Sequence, residues 1–217
     1  MILDKRKRYL QVALNGSPSQ ARGIIYNLPS SDRILIEAGT PLIKIHGKKM
    51  IAMIGAQSPG AYVVADTKCA DLAQREVREM ADAGASAVTC LGVAPVETID
   101  LFISECQKAG VDSMIDMMNV DDPVETLKKL KQSPDVVILH RGVDETEFSK
   151  DKQIPYYQIN QIKDNFDVMV SVAGGDAIDE IQKAILSGAD IVVVWKAFYQ
   201  STGDTGKLAE EFLKEIR

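Results

Sequence analysis

Val136-Val137-Ile138-Leu139-His140 is four apolar residues closed by one polar residue. A strand with one wet face alternates apolar and polar side chains. This run does not, so both of its faces must be covered. Ile191-Val192-Val193-Val194 reads the same way. Such runs belong to parallel sheets, whose crossover connections lay helices over the strands. Working outward, comparable runs fall at Tyr9–Leu14 and at residues 34–37, 62–66, 87–90, 113–116 and 168–171, so the chain holds eight, each of four to six residues.

Helical patterns fill the intervals. In 72–83, Leu72, Val77, Met80 and Ala81 fall near one face, with Gln74, Arg75, Arg78 and Glu79 elsewhere. Gly84 closes that helix, and Gly110 and Gly188 close two others just before the next strand. Asp121-Asp122-Pro123 is a helix start, with acids at the positive end and proline in the first turn. Asp176 and Asp179 are expected to do the same for Ile178–Leu186. Eight strand–helix units with no linker predict an α/β fold: one (β/α)8 TIM barrel, a single domain over residues 1–217. Such barrels usually take about 250 residues, so this one is lean. The polar stretch 142–153 after the sixth strand reads either as a long loop over the active site or as a plain solvated connection.

The formal net charge is −6, so no sequence-wide basic field invites nucleic acid or an anionic membrane surface. An anionic substrate would need local cations, backbone amides or a metal. Cys69, Cys90 and Cys106 are odd in number and show no CxxC spacing, which suits reduced, buried thiols and a cytoplasmic location. The charged start (Asp4, Lys5, Arg6, Lys7, Arg8) leads into no apolar leader, and no run reaches the ~18 apolar residues of a membrane span.

Barrel enzymes place their chemistry at the C-terminal ends of the strands. The polar residues there are Asn15, Glu37, Asp66 with Lys68, Asp116 and His140. Buried carboxylates need a partner or a metal, so core packing alone does not account for them. In Asp66-Thr67-Lys68-Cys69-Ala70-Asp71, Asp66 and Lys68 fall on the same side of an extended chain, and Asp71 opens the next helix. A lysine between carboxylates stays protonated and can face a developing oxyanion; a surface DxK followed by a helix cap is the competing reading. Glu37 and Asp66 end neighbouring strands about 4.8 Å apart, where two carboxylates share a proton or bind a cation, and hard oxygens suit Mg²⁺. His140 reads as a general acid or base, or as a hydrogen-bonded core histidine. His46 lies in a helix-entry segment and reads as structural. Gly174-Gly175 after the seventh strand lets backbone N–H groups approach a phosphate at a helix start.

These residues, in this order, resemble the orotidine 5′-monophosphate decarboxylase superfamily, and within it the 3-hexulose-6-phosphate synthases. The resemblance rests on Leu10-Gln11-Val12-Ala13-Leu14, on Ile36-Glu37-Ala38-Gly39-Thr40-Pro41-Leu42-Ile43-Lys44 and on the DxKxxD motif of Asp66, Lys68 and Asp71. It continues through residues 88–94, Asp116 with Asn119-Val120, His140 with Gly142, and Ala173-Gly174-Gly175. It implies a phosphosugar enzyme in which Glu37 and Asp66 carry Mg²⁺, Lys68 stabilises an enediolate and His140 moves a proton. It also implies a homodimer in which Asp71 reaches the partner's site. The implied reaction is aldol addition of formaldehyde to D-ribulose 5-phosphate, or its reverse. A sister activity, 3-keto-L-gulonate 6-phosphate decarboxylation, has a second arginine three residues after the histidine, where this chain has Val143.

Two departures stand out. The family's first strand ends in aspartate, here Asn15; its eighth leads into glycine followed by glycine or arginine, here Trp195-Lys196. Lys196 can bind phosphate as a point charge with the indole turned aside, or the indole can fill the pocket and change the ligand. A paralogue with a binding or scaffold role is the alternative to an enzyme. The joint presence of Glu37, Asp66, Lys68, Asp71 and His140 favours chemistry.

Overall fold

Eight parallel strands pair in chain order, and β1 closes on β8. They are β1 Tyr9–Leu14, β2 Ile34–Ala38, β3 Tyr62–Cys69, β4 Ala87–Leu91, β5 Asp112–Asp116, β6 Val136–His140, β7 Met169–Ala173 and β8 Ile191–Val194. The helices are α1 Pro18–Asn27, α2 Thr40–His46, α3 Lys49–Gln57, α4 Ala73–Asp82, α5 Val96–Ala109, α6 Pro123–Lys128, α7 Val143–Phe148, α8 Tyr157–Asn165, α9 Ile178–Leu186, α10 Lys196–Gln200 and α11 Thr205–Glu215. The computed structural model describes residues 1–149, 153–175, 177–200 and 204–216. Followed once around the barrel, the strand registers return eight residues lower on β1. That stagger is the one an eight-stranded barrel of this kind needs for its side chains to fill the interior.

Period two along each strand sorts the side chains into two cores. One set, including Leu35, Val64, Met114, Val136, Met169 and Ile191, packs within the barrel. The other set, including Leu10, Ile36, Ala65, Ile115, Val137 and Val192, packs outward under the helices, against residues such as Ile51, Phe102 and Phe212. Two buried faces explain why the strands read as unbroken apolar runs. The lower opening is sealed by the chain's own start. Leu3 joins the inner core, and Ile2 N and Leu3 N donate to the buried Asp112 carboxylate at 2.6 and 3.1 Å. Tyr62 donates its hydroxyl to the same group at 2.8 Å.

Several sequence expectations need correction. The third strand continues to Cys69, with a register shift between Ala65 and Cys69. Lys68 (φ 49°) takes a left-handed conformation there, so Asp66 and Lys68 are not joined by plain extended alternation. Leu72 is 64% exposed and caps α4 with φ 53°; it does not belong to the buried face. His46 ends a helix and does not enter one. The 142–153 stretch is no structureless loop, because it contains α7. Residues 150–152 of that stretch, and Asp176 with its expected capping role, lie outside the described residues; α9 is preceded by Ala177.

Asp112→Ala leaves two backbone N–H groups and a tyrosine hydroxyl without their acceptor. It should cost about 2–4 kcal/mol, a fall in Tm of roughly 5–15 °C for a domain of this size. Thermal denaturation followed by circular dichroism checks it, and an unchanged Tm contradicts this account of the seal.

Candidate active site

Where the inward-facing positions reach the C-terminal end of the barrel, they turn polar. Gln11 and Ala13 come from β1, Glu37 from β2, Asp66 and Lys68 from β3, Thr89 from β4, Asp116 from β5 and His140 from β6. They line one cavity of about 710 Å³, together with Asn15, Arg141, Gly174, Trp195 and Lys196. α7 supplies Val143, Asp144, Glu145 and Thr146 to the rim, so the polar stretch after β6 does cover the mouth.

Asp116 sits at the centre of the network and is 1% exposed. Its Oδ2 accepts from Lys68 Nζ at 2.9 Å and pairs with His140 Nδ1 at 2.8 Å; its Oδ1 accepts from Met118 N at 3.0 Å. Burial alone would raise the Asp116 pKa, but His140 and then Lys68 outweigh it and hold the carboxyl at about 2. Burial would lower Lys68, yet Asp66 and Asp116 raise it above the ordinary lysine value. Burial likewise opposes the charge on His140, and Asp116 overcomes it, so the imidazole lies above its usual range.

Asp66 is as closely held. Its Oδ1 accepts from Lys68 Nζ at 3.1 Å and from Thr89 Oγ1 at 2.9 Å; its Oδ2 accepts from Thr40 Oγ1 at 2.5 Å. Thr89 Oγ1 also accepts from the Lys68 backbone N–H at 3.0 Å, which fixes the left-handed residue in place. A lysine in that conformation is held by its surroundings, and such strain collects at functional positions.

Glu37 is displaced along the barrel axis from Asp66, since it is opposite Val64 in the register. Burial first, and then Asp66, push its carboxyl up to about 7; Gln11 Nε2 donates to its Oε2. Gln11 Oε1 is buried without a partner. Among the described residues no three metal-ligating side chains converge. Glu37 and Asp66 nevertheless fit Mg²⁺, which keeps several waters and takes one or two carboxylates. A divalent cation held by both would offset the Asp66 repulsion that adds to burial in raising Glu37.

Of the residues singled out from the sequence, Asn15, Glu37, Asp66, Lys68, Asp116, His140, Gly174 and Lys196 line this cavity; Asp71 and Gly175 do not. Asp71 is exposed, in a separate surface hollow with Leu72 and Leu101. Gly175 lies under the Glu180 side chain. Trp195 faces the cavity with Lys196 Nζ 5.7 Å from its ring centroid, so it is not simply packing under the rim. A criterion based on the last residue of each strand passes over Gln11, Thr40, Thr89 and Arg141. Gln11 and Thr89 do carry a signal, as single polar residues at inward positions of apolar strands.

Known proteins are similar to this chain. The chain is 40% identical over 211 residues to the bifunctional enzyme Fae/Hps of Methanothrix thermoacetophila, covering 96% of this chain and 53% of that protein. The chain spans about half the length of the curated relatives it matches. Among solved structures, 3-hexulose-6-phosphate synthase from Salmonella typhimurium superposes with a TM-score of 0.87 at 28% identity, covering 96% of this chain and 98% of that one. KGPDC from Streptococcus mutans shares the fold, with a TM-score of 0.82 at 21% identity, over 96% and 97% of the two chains. With residues 8–212 matched by its sequence profile, the chain belongs to the orotidine 5′-phosphate decarboxylase / HUMPS family.

Proposed function

We propose that this barrel is an aldehyde-lyase of the 3-hexulose-6-phosphate synthase type, joining formaldehyde to D-ribulose 5-phosphate or reversing that step. One observation carries the reading: Lys68 and His140 converge on Asp116 beside the carboxylates of Glu37 and Asp66, in one cavity. The 40% identity to Fae/Hps and the 28% identity to a synthase along nearly its full length support it.

Glu37 and Asp66 would hold Mg²⁺, which when bound supplies electrophilic polarisation of the ketose carbonyl. Lys68, kept cationic by its two carboxylates, faces negative charge that develops on the sugar oxygens as an enediolate forms. His140 is anchored through Nδ1 to Asp116, which turns Nε2 toward substrate to take or return the proton beside the carbonyl. Asn15 and Asp116 would orient the sugar, while Gly174 and Lys196 would hold its phosphate. Asp71, exposed and outside its own cavity, would complete the site of a second subunit in a homodimer. A decarboxylase of the KGPDC kind is less well supported, because Val143 occupies the position of that enzyme's additional arginine. A binding or scaffold role would leave the lysine–carboxylate–histidine array without a task.

Metal binding is the first check. Wild type should bind Mn²⁺ as a Mg²⁺ surrogate, and Asp66→Ala and Glu37→Gln should each weaken it by about 10-fold or more; equal affinity in all three removes the metal site. Formaldehyde and ribulose 5-phosphate should be consumed together with Mg²⁺ present. Lys68→Ala and His140→Ala should each lower kcat by about 10²–10⁴-fold, whereas clean turnover of another phosphosugar without aldol product transfers the chain to a different activity. The histidine coupling has its own pH signature. A His raised in the folded state contributes stability below its ordinary pKa and loses it as pH rises through the raised value. Asp116→Asn should therefore move the His140 titration downward. With only two histidines in the chain, His46→Gln assigns the NMR signals, and an unmoved His140 titration refutes the coupling.

A further inference from the structure

We infer that Arg141 recognises the phosphate of the sugar beside Gly174 and Lys196, as the guanidinium that the turn after the eighth strand does not supply. The inference rests on the phosphosugar reading for its ligand class, though not on the reaction. Arg141 lines the cavity, and its Nε is buried with no hydrogen-bond partner. Among the described residues it makes no ion pair, while the cavity's other inner cations are engaged. Lys68 is held by Asp66 and Asp116, and His140 by Asp116. A buried guanidinium nitrogen without an acceptor is costly unless an acceptor arrives.

Its position specifies the acceptor. Arg141 N donates to Ala173 O at 3.0 Å, which ties the end of β6 to the β7 turn. Gly174, at φ 104°, lies directly against the Arg141 carbonyl and Cβ, so any side chain at 174 would collide with them. Arg141 therefore stems from beneath the Gly174 turn at the cavity mouth. Gly175 is covered by Glu180, whose Oε2 accepts from Ala177 N at 3.2 Å and takes a donor at the start of α9. After the eighth strand, Trp195 stands where the resembling family has glycine, and Lys196 offers a point charge over the indole. A forked side-chain donor adds the bidentate contacts that Lys196 cannot make, and the unpartnered guanidinium supplies one.

The test measures binding of inorganic phosphate and of D-ribulose 5-phosphate to wild type, Arg141→Gln and Arg141→Lys by calorimetry, with circular dichroism confirming the fold. Arg141→Gln should weaken both ligands by about 10- to 100-fold, and Arg141→Lys should restore part of the loss, as a charge without the fork. Should Arg141→Gln not fold, Arg141→Lys alone must still show weakened binding. Equal affinities in wild type and variants, or no phosphate binding by wild type, overturn the assignment. Phosphate binding that depends on Arg141 in a protein without aldol turnover upholds it and rejects the proposed reaction instead.

Discussion

A carboxylate almost sealed from water at the end of β5 sets the terms for the rest of the mouth. Asp116 can remain ionised at that depth only because Lys68 and His140 both bring charge or hydrogen bonds to it. Removing either partner leaves a buried charge that is part-compensated, at a cost of several kcal/mol. The same pairing keeps Lys68 cationic and aims the imidazole. Lys68 in turn is constrained to a left-handed backbone, with its N–H on Thr89. The array is thus one electrostatic unit drawn from β3, β4, β5 and β6, and its members are not independent.

Glu37 obeys the opposite logic. It is buried beside Asp66 with an amide for company, and it rises to about 7 where Asp116 falls to about 2. Burial, and then Asp66, raise Glu37, whereas at Asp116 the contacts with His140 and Lys68 outweigh burial. That separation of roles fits a ligand-holding end and a proton-moving end within the same cavity.

The eight strands were legible in the sequence because two covered faces leave a pattern of unbroken apolar runs, and four of the helices announced themselves through glycine or proline at their ends. The polar residues that end strands were legible for the same reason: nothing in a core calls for them. What could not be read was local geometry. The extra residues that carry β3 past Asp66 to Cys69 depend on a register shift set by the neighbouring strand. Leu72 looked like a core residue by its spacing, yet it precedes the helix in a left-handed turn and stays in solvent. Arg141 follows the strand-ending His140 and carries no periodic signal; its importance lies in an absent partner, which only coordinates reveal.

The closure of the sheet also bears on the order in which the parts of the mouth come into being. β1 meets β8 by pairing Tyr9 with Ile191, across most of the chain, whereas the groups from Glu37 to His140 lie on five strands that each pair with a sequence neighbour. Loop-closure entropy delays long-range pairings, and a chain leaving the ribosome presents its early strands first. The cluster of Asp66, Lys68, Asp116 and His140 can assemble while the part of the cavity that comes from β7 and β8 is still unmade. Nascent chains and late folding intermediates would then carry this charged cluster before Gly174, Trp195 and Lys196 close the cavity around it.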